Sequence, residues 1–422
     1  TFASRVLDFA ISAAGSVLTQ GDGVMHTDQV RSVFGFDGTG QKIGVISDSY
    51  NRLGGAVADI VNGDLPSNVQ VVAELPMDAP WQATDEGRAM LQIAHDVAPN
   101  ADLAFSTAYG GKLLYAQAIT SLRNNGATVI VDDIMYLDEP MFMDGLVAQA
   151  ADAAVAAGVP YVSAAGNMAR NSYEAATFVS SGTTVDYGRG YVPLLDFDSG
   201  AGIDVLQQIT IPANAKLQIS LQWQDPFYTD APGSGGATHD LDLLLFDAAG
   251  ATLLATSTRN NPSVTHDPVE LLSYTNGSTA RVANVAIAGV NVGGLGRLKY
   301  VITNTAVTID QFATNSPTSW GHANASSVIA VGAANALTTP PALESYSSVG
   351  GVPILFDNAG QPIAPQTRQT PDVVGPDNVN TTFFGTDSPS DADTFPNFAG
   401  TSAAAPHVAG LLGLLRQANP TA

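Results

Sequence analysis

The 422-residue chain has no cysteine, and only 16 of its residues are Lys or Arg against 39 Asp or Glu. Without a thiol there is no disulfide, no thiolate nucleophile and no thiolate metal site. A net charge of −23 leaves no basic surface for a phosphate backbone, which excludes nucleic acid as a partner. Charged residues make up only 13% of the chain. No apolar run approaches the ~20 residues that a bilayer span requires, so no membrane span is expected. Low charge density with an acidic bias fits a secreted or extracytoplasmic protein. Thr1 rather than Met opens the sequence, and a removed leader, pro-segment or tag is expected before it. The length, with 41 Gly and 24 Pro, allows two domains or one large domain with an insert. Oligomeric state stays open.

What is present alternates. Two short helices are read in residues 1–36, from Val6 to Val17 and from Val24 to Val33. Ile43, Val45 and Ile46 form a buried strand that ends at Asp48, and Val71–Leu75 is a second strand. A helix follows from Thr84 or Asp85 as cap, then a turn and strand over Val97–Phe105, a buried strand at Thr128–Asp133 and a strand ending in a turn over Pro160–Asn167, with helices at Leu113–Asn124 and Gly145–Gly158 between them. Strands alternating with helices predict a parallel, doubly wound sheet, whose sites lie outside the carboxyl ends of its strands. From 172 to 312 the helical period disappears. Short alternating strands separated by Gly, Pro, Asn and Asp predict a β-sandwich or jelly roll. Asp225, Asp240 and Asp242 read there first as turn formers, with a structural calcium site as the alternative, since calcium takes oxygen ligands. The α/β pattern returns at Ser326–Ala333.

Phe398-Ala399-Gly400-Thr401-Ser402 leads into a run of helix formers that reaches Arg416. Thr401 or Ser402 is the expected N-cap, and Pro406 is tolerable only near the helix start. A hydroxyl at a helix N-terminus among small residues suits a nucleophile if a base is in reach. The alternative is an ordinary capped, buried, Ala-rich helix.

The spacing G-T-S-x-x-x-P-H-V-A-G over 400–410 resembles the serine motif of the subtilases. Three further stretches fall in that family's order: Val45-Ile46-Ser47-Asp48, Ala164-Ala165-Gly166-Asn167 and Ser327-Val328-Ile329-Ala330-Val331-Gly332-Ala333. The resemblance covers 37–171 and 313–419, and implies an α/β subtilisin-like domain over 37–171 and 313–422. Residues 172–312 would then be an inserted jelly roll, after an N-terminal helical segment at 1–36. It further implies Ser402 as nucleophile, Asn167 as oxyanion donor and Asp48 as the acid that orients the base.

The expected histidine is missing. Helix H-G-T of the family matches Glu86-Gly87-Arg88 here. His407 belongs to the serine motif, and His95 lies nine residues past Glu86, about 13 Å along a helix. Sedolisins, which share the subtilase fold, use Ser, Glu and Asp, with Glu at the histidine position. Their partner Asp falls four residues on, where this chain has Met90, and their oxyanion residue is Asp rather than Asn. The resemblance therefore implies a hybrid in which Glu86 and Asp48 form a carboxylate base pair. Asp85 and Asp133 are alternative bases. Ile134, Tyr136 and His322 are expected at the substrate channel, and Arg88 is read as a partner of Glu86, a contact for a substrate carboxylate or an exposed residue. The resulting expectation is a serine endopeptidase acting on polypeptides, acid-shifted and without a cofactor for the chemistry. The alternative is a catalytically dead subtilase-like protein whose jelly roll binds a protein or wall polymer.

Overall fold

A computed structural model describes residues 15–420. Most of the first expected helix, Val6 to Val17, lies outside them. The second expectation corresponds to two short helices, α1 (Gln20–Val24) and α2 (Thr27–Phe34), and a third short helix, α3 (Ala56–Asn62), comes later in the chain.

The core is a mostly parallel sheet built around β1 (Lys42–Ser47). On one side of it lie β3 (Asp102–Thr107) and β2 (Gln70–Ala73); on the other lie β4 (Val129–Asp132), β5 (Tyr161–Ala164) and the strand Ile329–Asn335. Val373–Asp377 continues the sheet in parallel, and the two-residue strand Ala342–Leu343 adds antiparallel to Ile329–Asn335. The middle strands β1, β3, β4 and β5 are largely buried on both faces, as a sheet covered by helices on each side requires.

β1 shows how. Ile43 and Val45 pack into one cluster with α4 (Glu86–Val97) and α7 (Thr401–Ala418). Ile46 packs into the opposite cluster with α5 (Lys112–Asn124) and α6 (Leu146–Ala156). Alternation along one strand thus assigns the two functional helices, α4 and α7, to the same face of the sheet.

Strands from 172 to 309 build two antiparallel sheets. One runs Val269–Thr275, Lys216–Trp223, Leu298–Ile302, Ser172–Ala175. The other centres on Asp240–Asp247 and Arg281–Asn291. Leu217, Ile219, Leu221 and Trp223 of the first face Leu241, Leu243, Leu245 and Ile287 of the second in one apolar core. The turn-forming reading of the acidic residues is refined here. Asp225 accepts from the Thr238 and His239 backbone and lies 3.0 Å from His239 Nδ1. Asp240 and Asp242 pair with Arg189, each at 2.8 Å. Among the described residues no cluster of three or more His, Asp or Glu is arranged to hold a metal. No helix among them is long and apolar enough to cross a membrane.

Candidate active site

Asp48 follows β1 and Asp133 follows β4, two hydrogen-bonded parallel neighbours, so the topology sets both carboxylates at the same end of the sheet. The N-termini of α4 and α7 meet there.

The start of α4 differs from the sequence expectation. Asp85 holds the N-cap position, but its side chain does not cap the helix. At φ 56°, it turns its carboxylate to the Arg52 and Leu53 N–H groups and to Arg88. Asp48 meets the first helix donor, the Glu86 N–H, instead. Its carboxylate accepts from Thr84 N (2.6 Å), Thr84 Oγ1 (2.8 Å), Glu86 N (3.0 Å), Ser49 N (2.5 Å) and Ser49 Oγ (2.9 Å). An acid placed against the first N–H groups of a helix is favoured by their unmet hydrogen bonds and by the helix dipole. Gly87 is required next to it: a Cβ there would lie 2.3 Å from the Phe105 ring and 2.9 Å from the Ser49 carbonyl. This close approach of α4 to the sheet aims Glu86, its first residue, into the site.

The Glu86 carboxyl faces the Ser402 hydroxyl and the Asp133 carboxyl and interacts with both. The pairing of Glu86 with Asp48 expected from the sequence is therefore corrected. Asp48 contacts the Glu86 backbone and acts on its side chain through charge, while Asp133 is the carboxyl that the side chain meets. The reason is that the donors of Ser49, Thr84 and Glu86 already take up both Asp48 oxygens. Both Asp133 oxygens are shut away from water and have no conventional donor. Two carboxyl groups in contact can hydrogen-bond only if one keeps a proton. Burial, then the Glu86 charge, pushes Asp133 well above the usual carboxylate range. Burial also raises Glu86; the Asp48 charge adds to this, and the bonds from Asp133 and Ser402 oppose it. Asp133 is thus the more strongly raised of the two carboxyls, and Glu86 the one that faces the serine.

On α7, the N-cap is Gly400, whose φ of 118° suits only glycine, and no side chain of the helix caps it. The expected Thr401 or Ser402 cap is replaced by Asn167, whose Oδ1 accepts from Thr401 N (2.9 Å) and Thr401 Oγ1 (3.0 Å). Two consequences follow. The Ser402 hydroxyl is released from capping and faces Glu86 instead. The Asn167 amide is locked with its oxygen on Thr401, which leaves Nδ2 as the donor at an exposed position. Ser402 is the second residue of the helix, so its own N–H has no intrahelical acceptor. Pro406 brings no N–H to the Ser402 carbonyl one turn earlier.

The histidines stand apart from this chemistry. His407 is buried, with Nδ1 2.7 Å from the Ala403 carbonyl and Nε2 2.7 Å from Thr19 Oγ1, and burial lowers it to about 4. His322 was expected at the substrate channel, but it is only 1% exposed. It lies between Glu139 Oε2 (2.8 Å) and Asp132 Oδ1 (3.1 Å), and these two carboxylates overcome the effect of its burial and raise it well above the usual histidine range. A buried cation with two anionic partners braces the strand end; it does not line a channel. Ile134 and Tyr136, on the segment after Asp133, are partly exposed. Tyr136 packs beside Trp81 at 5.8 Å between ring centroids, and Trp81 meets Tyr109 at 5.3 Å, an aromatic group that sequence reading did not assemble. Arg88 is buried, paired with Asp59 and Asp85 and stacked 3.6 Å from the Phe383 ring centroid. It partners neither Glu86 nor solvent.

Residues 247–422 match the model of the subtilase family, peptidase S8. No curated protein matches the sequence. Among solved structures, the CspB protease of Clostridium perfringens has a TM-score of 0.56 at 13% identity, over 94% of this chain and 86% of that one. That likeness supports a subtilisin-like fold across nearly the whole chain. MycP1 from Mycobacterium smegmatis (TM-score 0.33, 11% identity, 98% and 77% covered) and the prenylagaramide maturation protease PagA (0.37, 12%, 94% and 80%) also match, at scores too low to add to the comparison.

Proposed function

We propose that this subtilase is a secreted serine endopeptidase of the Ser-Glu-Asp type, with Ser402 as nucleophile, Glu86 as general base and Asp133 as the acid that holds Glu86 in place. The observation that carries this reading is the Glu86 carboxyl set against both the Ser402 hydroxyl and Asp133. A base must reach the proton it takes, and the third group must orient the base. Glu86 stands where the family has histidine, and its raised pKa brings a weak base closer to the working range.

In this reading the substrate is a polypeptide. The Ser402 oxygen attacks the peptide carbonyl as its proton passes to Glu86. The developing oxyanion is met by Asn167 Nδ2 and the Ser402 N–H at the positive end of α7, a kind of donor whose loss typically costs about 2.7–4 kcal/mol. Glu86 then gives the proton to the leaving amine, and a water repeats the sequence on the acyl-enzyme. Asp133 keeps its proton throughout and directs it at Glu86. Asp48 fixes α4 and with it the Glu86 backbone. The chemistry uses no cofactor. Residues 172–312 act as an inserted β-domain beside the peptidase sheet, over 37–171 and 313–422.

The activity is acid-shifted. The competent form has one proton on the Glu86–Asp133 pair. Activity rises as Glu86 ionises and falls when the pair loses its last proton. A fluorophosphonate probe on the intact protein tests the reading, with labelling at Ser402 expected, abolished by Ser402→Ala and strongly slowed by Glu86→Gln. Labelling that is undiminished in Glu86→Gln would remove the base assignment. No labelling of the native protein between pH 3 and 9 would favour a non-catalytic binding protein.

A further inference from the structure

A groove of about 600 Å³ opens beside the oxyanion residue, outside the chemistry described so far. One wall is Ala169, Arg170 and Asn171, two to four residues after Asn167. A second is Glu344, Ser345 and Ser347, and a third comes from the antiparallel β layer, at Val307–Ile309. The first two walls are fastened to each other and to the site. Ala169 N donates to the Tyr346 carbonyl (2.8 Å), Ser348 N to the Gly166 carbonyl (2.9 Å) and Met168 N to Ser348 Oγ (3.0 Å). Gly400 N, next to the serine, donates to Tyr346 Oη (3.1 Å). The groove's walls are therefore tied to the segments that carry Asn167 and Ser402.

Arg170 is its only cation. The side chain is exposed and makes one hydrogen bond, from Nη1 to the Asn315 carbonyl at 3.1 Å. Among the described residues it has no ion pair. In a chain of net charge −23, a guanidinium left without a carboxylate at the edge of a cleft is an arrangement that an acidic ligand would complete. Glu344 on the facing wall gives the groove a polarity along its length.

We propose that this groove is an extended substrate subsite in which Arg170 binds the carboxylate of an Asp or Glu side chain of the polypeptide being cleaved. The inference rests on the peptidase reading above and adds a specificity determinant to it. Three residues of chain reach at most about 10 Å, so the acidic residue falls within about four positions of the scissile bond. A planar guanidinium reads a carboxylate in two parallel bonds, and a glutamine cannot reproduce that.

Cleavage-site mapping on a proteome-derived peptide library, with the full chain, tests this. The expected result is enrichment of Asp and Glu at one fixed position within four of the cut, a roughly tenfold preference for a Glu peptide over its Gln analogue. Arg170→Glu should reverse the preference toward Lys or Arg, and Arg170→Lys should retain part of it. Identical preferences in the native protein and Arg170→Glu would overturn the proposal. A second arm does not depend on catalysis. In Ser402→Ala, a fluorescent Glu peptide should bind about tenfold more tightly than its Gln analogue by anisotropy, with the difference lost in Ser402→Ala/Arg170→Ala. Equal binding of the two peptides overturns the subsite even if cleavage is observed. Charge-selective binding without cleavage keeps the subsite and overturns only the peptidase reading.

Discussion

Asp48 and Asp133 are the same residue type, each just past the end of a strand, on parallel strands that touch. They have opposite surroundings. Asp48 collects five donors from Ser49, Thr84 and Glu86. Asp133 has none of the conventional kind, and its polar neighbours are the Glu86 carboxyl and the Ser47 hydroxyl. Those donors tie Asp48 to the start of α4, whereas burial against another carboxyl pushes Asp133 up. Position at the strand end makes both candidates; only the donors around each one separate a helix anchor from a proton-holding partner.

The comparison can be broken at several points. The largest effect is expected at the shared reaction centre: Glu86→Gln should lower kcat/KM by about 10²–10⁴-fold with the fold intact by circular dichroism, since it removes the general base but keeps the shape. Asp133→Asn comes next. An amide in its place still donates to Glu86 but cannot titrate, so a loss of about 10–100-fold is expected, smaller than that for the base itself. Asp48→Ala should act mainly on stability. Removing the acceptor at the start of α4 is expected to cost about 0.5–2 kcal/mol in urea unfolding, the range for helix caps. A stability loss in Asp133→Asn larger than that in Asp48→Ala would reverse the roles assigned to them.

A smaller, global effect concerns buried carboxyls elsewhere. Burial raises Asp242 and Asp377 to about 6 and Glu270 to about 7. A carboxyl raised in the folded state contributes stability that is present below its unfolded pKa and is lost as pH rises through the folded value. These three therefore favour the fold below about pH 4, with the contribution gone by about pH 7. His407, lowered to about 4, acts in the other direction, and its contribution is lost as pH falls from the ordinary histidine value. With the carboxyls in the majority, the melting temperature should decline from pH 5 to pH 7.5, and Glu270→Gln should flatten that decline. A melting temperature that climbs across this window would contradict the protonation states assigned here.

The order of strands and helices was legible from Ile43-Gly44-Val45-Ile46 onward, because apolar runs between amphipathic helices leave few alternatives. The change to short alternating strands after residue 172 was equally plain. Strands Ser180–Asp186 and Tyr191–Leu195 were missed, since the first is almost entirely polar and exposed and owes its form to pairing. The serine stretch and Asn167 were legible through spacing. The capping of α4 and α7 was not. Each helix is capped by a residue distant in sequence, Asp48 and Asn167, while the local candidates Thr84, Asp85 and Thr401 serve other bonds. Asp133 was legible as a candidate only, because its role depends on which carboxylate keeps a proton, and that is decided by burial. His322 misled because its neighbours Asp132 and Glu139 come from another segment.

The most direct test is the pH dependence of kcat/KM on one peptide for the native protein, Asp133→Asn and Asp48→Asn. The account predicts a bell for the native protein. In Asp133→Asn the alkaline limb, which reports loss of the pair's last proton, disappears. In Asp48→Asn both limbs survive, and the acid limb moves to lower pH because the charge that raises Glu86 is gone. Loss of the alkaline limb in Asp48→Asn, with an unchanged bell in Asp133→Asn, would contradict it.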